Sequence, residues 1–235
     1  MIAESYYWRR DLYRSAAELR RKEVQQYWSD ASVALLEKAL MIGSYSVRRL
    51  MDSNKLPRAY AERTIPAVAL SPLPINKRRY RYTPPIDLPI ASEMFDFTSG
   101  NNQTIKVGFF LNQIIHSHTL LYGVSDEDST TRVFILVSSD KDRWSHLRCF
   151  WVKDVALLFE HAALFDMTIW KTIWSEADQD WFQDGAGQLS DQWDFAKPEA
   201  ITESLVRLTR KQKAGPNLRL ALRRIQEAID EAEEN

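Results

Sequence analysis

One cysteine, Cys149, stands in 235 residues, so an internal disulfide is impossible. Its setting, Arg148-Cys-Phe-Trp-Val152, reads as a strand. Free cysteine behaves mainly as a small buried hydrophobe, so an inert core thiol is expected there. No window reaches the ~20 apolar residues that a bilayer span needs, and the first ten residues lack a basic start followed by a long apolar stretch. The expectation is a soluble, cytoplasmic protein with no membrane partner. Also missing are a glycine-rich phosphate loop, a Gly-x-Ser-x-Gly elbow, an internal repeat and a calcium loop.

What is present suffices for a sizeable core: 45% of residues are hydrophobic and 27% charged, which argues against disorder of the chain as a whole. Net charge is −1 but unevenly spread. Residues 1–90 hold 16 basic against 9 acidic groups, and residues 166–196 hold 1 against 7. The two stretches attract each other, or the basic third meets nucleic acid or an acidic partner.

Residues 5–25 repeat Trp8, Leu12, Ala16 and Leu19 at three- and four-residue steps, which predicts an amphipathic surface helix. After the N-cap candidates Ser29 and Asp30, the stripe Val33, Leu36, Leu40, Gly43, Val47 and Leu50 predicts a second. Gly43 within that stripe suggests close approach by a neighbouring backbone. Seven of the nine prolines fall between Pro57 and Pro89, so residues 57–92 are expected to cross the surface in extended form, with room for an edge strand. From Thr104 to about Ser117 a helix apolar nearly all round is expected at the centre of the molecule. Strand-like runs follow at Thr119–Val124, Arg132–Ser139 and His146–Val152, joined by short turn-rich segments that favour an antiparallel meander. Helical period returns near Asp154. Residues 166–196, with Trp170, Trp174, Trp181 and Trp193 among acids, read as an irregular segment pinned by its indoles. Pro198 opens a helix to about Lys213, and a last helix after Gly215-Pro216 carries Leu218, Leu222, Ile225 and Ile229.

Two groups of residues are candidates for chemistry. Asn112 and His116, one helical turn apart in the oily 104–118 segment, would stack an amide and an imidazole. A buried pair of this kind is usually hydrogen-bonded scaffolding, which is the expected role, and the chemical alternative is acid–base work by His116 with Asn112 orienting it. Lys77, Arg78, Arg79, Tyr80, Arg81 and Tyr82 alternate, so an extended chain would set the tyrosines Tyr80 and Tyr82 on one side and Arg79 and Arg81 on the other. Such a ribbon suits a phosphate backbone with stacked bases, or an edge strand protected by its charge. His116 and His118 are too few for a metal site, and none is expected. Arg48 and Arg49 read as solvated charges, and Asp126, Glu127, Asp128, Asp140 and Asp142 as turn residues.

The start Tyr7-Trp-Arg-Arg-Asp-Leu12, the segment Ile42-Gly-Ser-Tyr-Ser-Val-Arg-Arg-Leu50 and the run Leu111-Asn-Gln-Ile-Ile-His-Ser-His118, with a Ser-Asp in the second strand, resemble a widespread family of bacterial proteins with no assigned activity. The resemblance spans about residues 7–164. It implies a bacterial, cytosolic, single-domain protein and transfers no function.

The fold expected is α+β: a helical N-terminal pair, a central buried helix and a small three-stranded antiparallel meander in a core domain over residues 1–165. Residues 166–235 would pack on that core as an acidic, tryptophan-rich segment and C-terminal helices. The function expected is a binding or accessory module acting through protein–protein contacts, with no catalysis and no cofactor, because tryptophan and arginine dominate interface energetics. The alternative is a metal-independent nuclease or nucleic-acid-binding protein using His116, Asn112 and the 77–82 ribbon. An enzyme would set His116 in a solvent-connected cleft with Asn112 and a basic side chain, and a binding module would bury it.

Overall fold

The computed structural model describes residues 5–25, 27–78, 87–98, 100–127, 130–143, 145–165, 167–176 and 179–187. In chain order these form α1 (Tyr6–Glu23), α2 (Asp30–Asp52), α3 (Ala59–Glu62), β1 (Thr64–Leu70), a 3-10 turn (Ile75–Lys77), α4 (Leu88–Met94), β2 (Asn101–Lys106), α5 (Val107–Ile115), β3 (Ser117–Glu127), β4 (Thr130–Ser139), β5 (Leu147–Trp151), α6 (Val152–Leu164), β6 (Met167–Ser175) and β7 (Asp180–Gly187). The expected C-terminal helices from Pro198 onward lie outside the described residues. No helix among those described is long and apolar enough to cross a membrane.

The first two helices form where their stripes place them. Leu12, Ala16 and Leu19 are buried on α1. On α2 Leu36, Leu40, Gly43, Val47 and Leu50 are buried, and the Ser29 hydroxyl accepts the Ser32 N–H at 3.3 Å as N-cap. The close neighbour of Gly43 is a side chain, not the expected backbone. A Cβ added there would lie 2.1 Å from a ring carbon of Phe159 on α6, itself fully buried. Gly43→Ala therefore gains about 1 kcal/mol of helix propensity but overpacks a ring that cannot retreat, at about 1–3 kcal/mol. A lower urea midpoint is expected; a higher one would show that the ring moves freely.

The sheet holds five strands in the order β2-β1-β5-β4-β3, each pair antiparallel, and so exceeds the expected three-stranded meander, which survives as β3–β5. Both added strands come from segments read otherwise. β1 lies inside the proline-rich stretch, flanked by β2 and β5, rather than at an edge. Its Pro66 is tolerated because pairing to β5 begins only at Val68. β2 takes Thr104, Ile105 and Lys106 from the expected central helix. Ile105 alternates into the core while Lys106 stays exposed, and the ladder with β1 ends where the Val107 N–H donates to the Arg63 carbonyl at 2.7 Å.

Side chains leave this sheet in two directions and define three layers. Ile65, Ala67, Val133, Ile135, Val137 and Phe150 meet α1, α2, α5 and α6. On the opposite face Val68, Leu70, Phe134, Leu136, Cys149 and Trp151 meet Ala91, Met94, Phe95 and Phe97 in and after α4. Cys149 is buried, as its strand setting suggests, and burial pushes its thiol pKa up, which keeps the reactive thiolate scarce. Within the segment read as irregular, β6 and β7 instead form a two-stranded antiparallel sheet with Trp174 and Trp181 in register, and residues 188–196 lie outside the described residues. Thr, Ile and Trp favour extended backbone, and that preference prevailed over the surrounding acids.

Candidate functional site: the cleft between α2, α5 and the β4–β5 turn

α5 is anchored by Val107, Phe110, Leu111 and Ile114, which point into the core. That stripe fixes the phase of the helix, and Asn112 and His116 fall on the other side. Both are exposed, so the expectation of a buried amide and imidazole is overturned. They do share one face, as their four-residue spacing requires, with Phe109 one turn before Asn112. The amide that goes inward is Gln113, 4% exposed. Its Nε2 donates to Ser139 Oγ at 3.1 Å and Asp142 Oδ2 at 3.0 Å, and its Oε1 accepts the Ser139 N–H at 3.2 Å.

The outward face of α5 lines a solvent-open cavity of about 630 Å³. Arg48 of α2 forms one wall and the turn Ser139–Asp142 the other. His116 caps α5: its N–H donates to the Asn112 carbonyl at 3.0 Å and its own carbonyl accepts the Asp140 N–H at 3.3 Å, which ties the turn to the helix end. Arg48 is not a merely solvated charge. Its Nε donates to Asp52 at 3.0 Å and its Nη1 to Asn112 Oδ1 at 3.4 Å, which places a guanidinium beside the amide.

The charges around the cavity are mostly matched in pairs. Asp52 faces Arg48, Asp140 lies 3.8 Å from Arg143, and Asp142 lies 2.7 Å from Arg148. Each carboxylate therefore has its own guanidinium, and exposed Lys141 on the turn adds positive charge with no ion-pair partner among the described residues. An open cavity with a surplus cation, a guanidinium and an imidazole suits an anion. Phe109, 40% exposed, presents a ring at the cavity whose electrons are engaged by the Arg148 guanidinium 4.9 Å from its centroid.

The structure joins His116 and Asn112 to Arg48, Lys141 and Gln113, none of which sequence reasoning chose. The inward stripe of α5 was a signal for Gln113, since 113 adjoins buried 114 and lies about 100° from 112. For Arg48 and Lys141 no local signal existed, because only the fold brings them together. The ribbon is not part of the described cavity: Arg79, Tyr80, Arg81 and Tyr82 lie outside the described residues, Lys77 ends the 3-10 turn, and Arg78 spends its Nε on the Leu73 carbonyl. His118 is half-buried on β3, and no group of three metal-ligating side chains occurs among the described residues. No protein-family model, no curated protein and no solved structure matches the chain.

Proposed function

We propose that the cleft binds a phosphate-bearing ligand of nucleotide or nucleic-acid type, with His116 in contact with the phosphate as the group that can exchange a proton with it. One observation carries this reading: His116 and Asn112 stand in a solvent-connected cavity with Arg48 hydrogen-bonded to that amide. Arg48 offers a planar fork of donors to phosphate oxygens, Lys141 a point charge, and imidazole is the side chain suited to proton transfer near neutral pH. Asn112 holds the guanidinium in place and retains its NH2 as a donor to the ligand.

The protein–protein reading rests on a different surface. Tyr6, Tyr7 and Tyr13 of α1 are 61%, 57% and 53% exposed, and Arg10 lies 5.1 Å from the Tyr7 ring centroid, a mixture common at interfaces. It becomes the better account if the cleft binds neither probe below.

Titration with inorganic phosphate and adenosine monophosphate, followed by calorimetry or by imidazole resonances, tests the cleft. Arg48→Ala and His116→Ala are each expected to weaken adenosine monophosphate about tenfold, the equivalent of one charge-assisted hydrogen bond. Both variants should fold as the parent does. Unchanged affinity in both would overturn the reading.

A further inference from the structure

A second cavity, of about 350 Å³, is lined by Trp8 and Asp11 of α1, by Met41, Ile42 and Tyr45 of α2 and by Ile115 of α5. Both helices that build the first cleft contribute to it. Tyr45 precedes Arg48 by three residues on α2, about 4.5 Å along the axis on one helical face. Ile115 immediately precedes His116 on α5. The cavity lining that α2 and α5 supply therefore changes from polar and cationic to aromatic and apolar within one helical turn. At the aromatic end Tyr45 is 49% exposed, with its ring 6.1 Å from that of Trp8. Asp11 at the rim is matched by Arg10 at 3.6 Å and Arg14 at 3.4 Å, so the rim keeps a cationic balance.

Resting on the phosphate reading of the cleft, we infer that the two cavities together take a single strand of nucleic acid, with one phosphate at Arg48, Asn112 and His116 and an adjoining base on Tyr45 in the Trp8–Ile115 pocket. A strand offers these chemistries in this alternation: each phosphate carries a base on either side of it along the chain, and every base has a flat face that stacks on an aromatic ring whatever its sequence. A duplex does not fit, because its base faces are covered by their neighbours. A mononucleotide brings one phosphate and one base and gains that pair of contacts alone, whereas a strand adds the neighbouring phosphates and bases along its chain. The exposed ring of Tyr45 next to a cationic cleft is the pattern by which single strands are held, with cations on the backbone and aromatics on the bases.

The test compares thymidine monophosphate, short oligothymidylate, short oligouridylate and a duplex of equal length, by fluorescence anisotropy or calorimetry on the full chain. At least one single strand should bind at least tenfold more tightly than the mononucleotide and more tightly than the duplex. Tyr45→Ala should cost that strand roughly tenfold, and Tyr45→Phe should keep the strand affinity. Arg48→Ala should weaken both. If strands bind no better than the mononucleotide, or Tyr45→Ala leaves them unchanged while Arg48→Ala weakens both, the strand track is wrong and the phosphate cleft stands. Binding of no probe sinks the cleft and the track together. A dimer in sedimentation that Tyr45→Ala abolishes would make a second copy the occupant and overturn the inference.

Discussion

Arg9→Ala is expected to lower the unfolding free energy by about 3 kcal/mol, the scale of a guanidinium that loses several hydrogen bonds to backbone. Arg9 Nη1 donates to the Ala162 carbonyl at 3.1 Å and the Ala163 carbonyl at 3.4 Å, and also bonds the Phe165 carbonyl; Nη2 donates to the Lys55 carbonyl at 2.8 Å. Ala162 and Ala163 lie in the last turn of α6, whose carbonyls have no partner within the helix and carry its negative dipole end. A single side chain of α1 thus caps α6 and holds the chain that follows α2. Arg20 adds a second tie, binding both Glu160 oxygens at 2.9 and 2.8 Å, but its side chain is 39% exposed and water screens the ion pair, so it counts for less. Arg9→Lys should restore less than half of the loss, since an ammonium cannot reach both sides of the fork. Urea unfolding measures both variants, and an Arg9→Ala midpoint equal to that of the parent would show that water replaces the cap at no cost.

The second large effect is expected at Gln113→Leu. The leucine fits the space but leaves the buried Ser139 N–H without its acceptor, and it removes one of two donors to Asp142 Oδ2; the other is Arg148 Nη1 at 2.7 Å. An unsatisfied buried donor costs about 1–3 kcal/mol, so a loss of about 2–3 kcal/mol is expected in urea unfolding. The functional consequence follows from the same bonds. Gln113 holds the β4–β5 turn against α5, and that turn carries Lys141 and one wall of the cleft. Adenosine monophosphate should bind several-fold more weakly to folded Gln113→Leu, although Gln113 is expected to act on the ligand only through the turn. Full stability or parental affinity would each contradict this role.

These effects also show which parts of the molecule could be read in advance. α1 and α2 were legible because each buries one stripe against a single layer, so their apolar residues keep a helical period. The meander was legible from its short turns. β1 was not, because Ile65 through Leu70 are all buried and an unbroken apolar run carries no alternation, while Pro66 argued for a loop. The 104–118 run misled for a related reason. Its apolar residues serve first a strand and then a helix, and read as one helix they hide the phase that turns Gln113 in and Asn112 and His116 out. The pairing of Asn112 with His116 was visible in their spacing. Its direction depended on where α2 and the sheet lie, and the approach of Arg48 across 64 positions of sequence is a product of the whole fold.

The central claim is the orientation of α5, and parallel urea unfolding of Asn112→Ala, His116→Ala and Gln113→Ala tests it most directly. Asn112 and His116 face water, so their variants should stay within about 0.5 kcal/mol of the parent, as is usual for surface positions, while Gln113→Ala should lose about 2 kcal/mol or more. If His116→Ala unfolds as early as Gln113→Ala, the imidazole is scaffolding after all, and the cleft described here is not the working face of the helix.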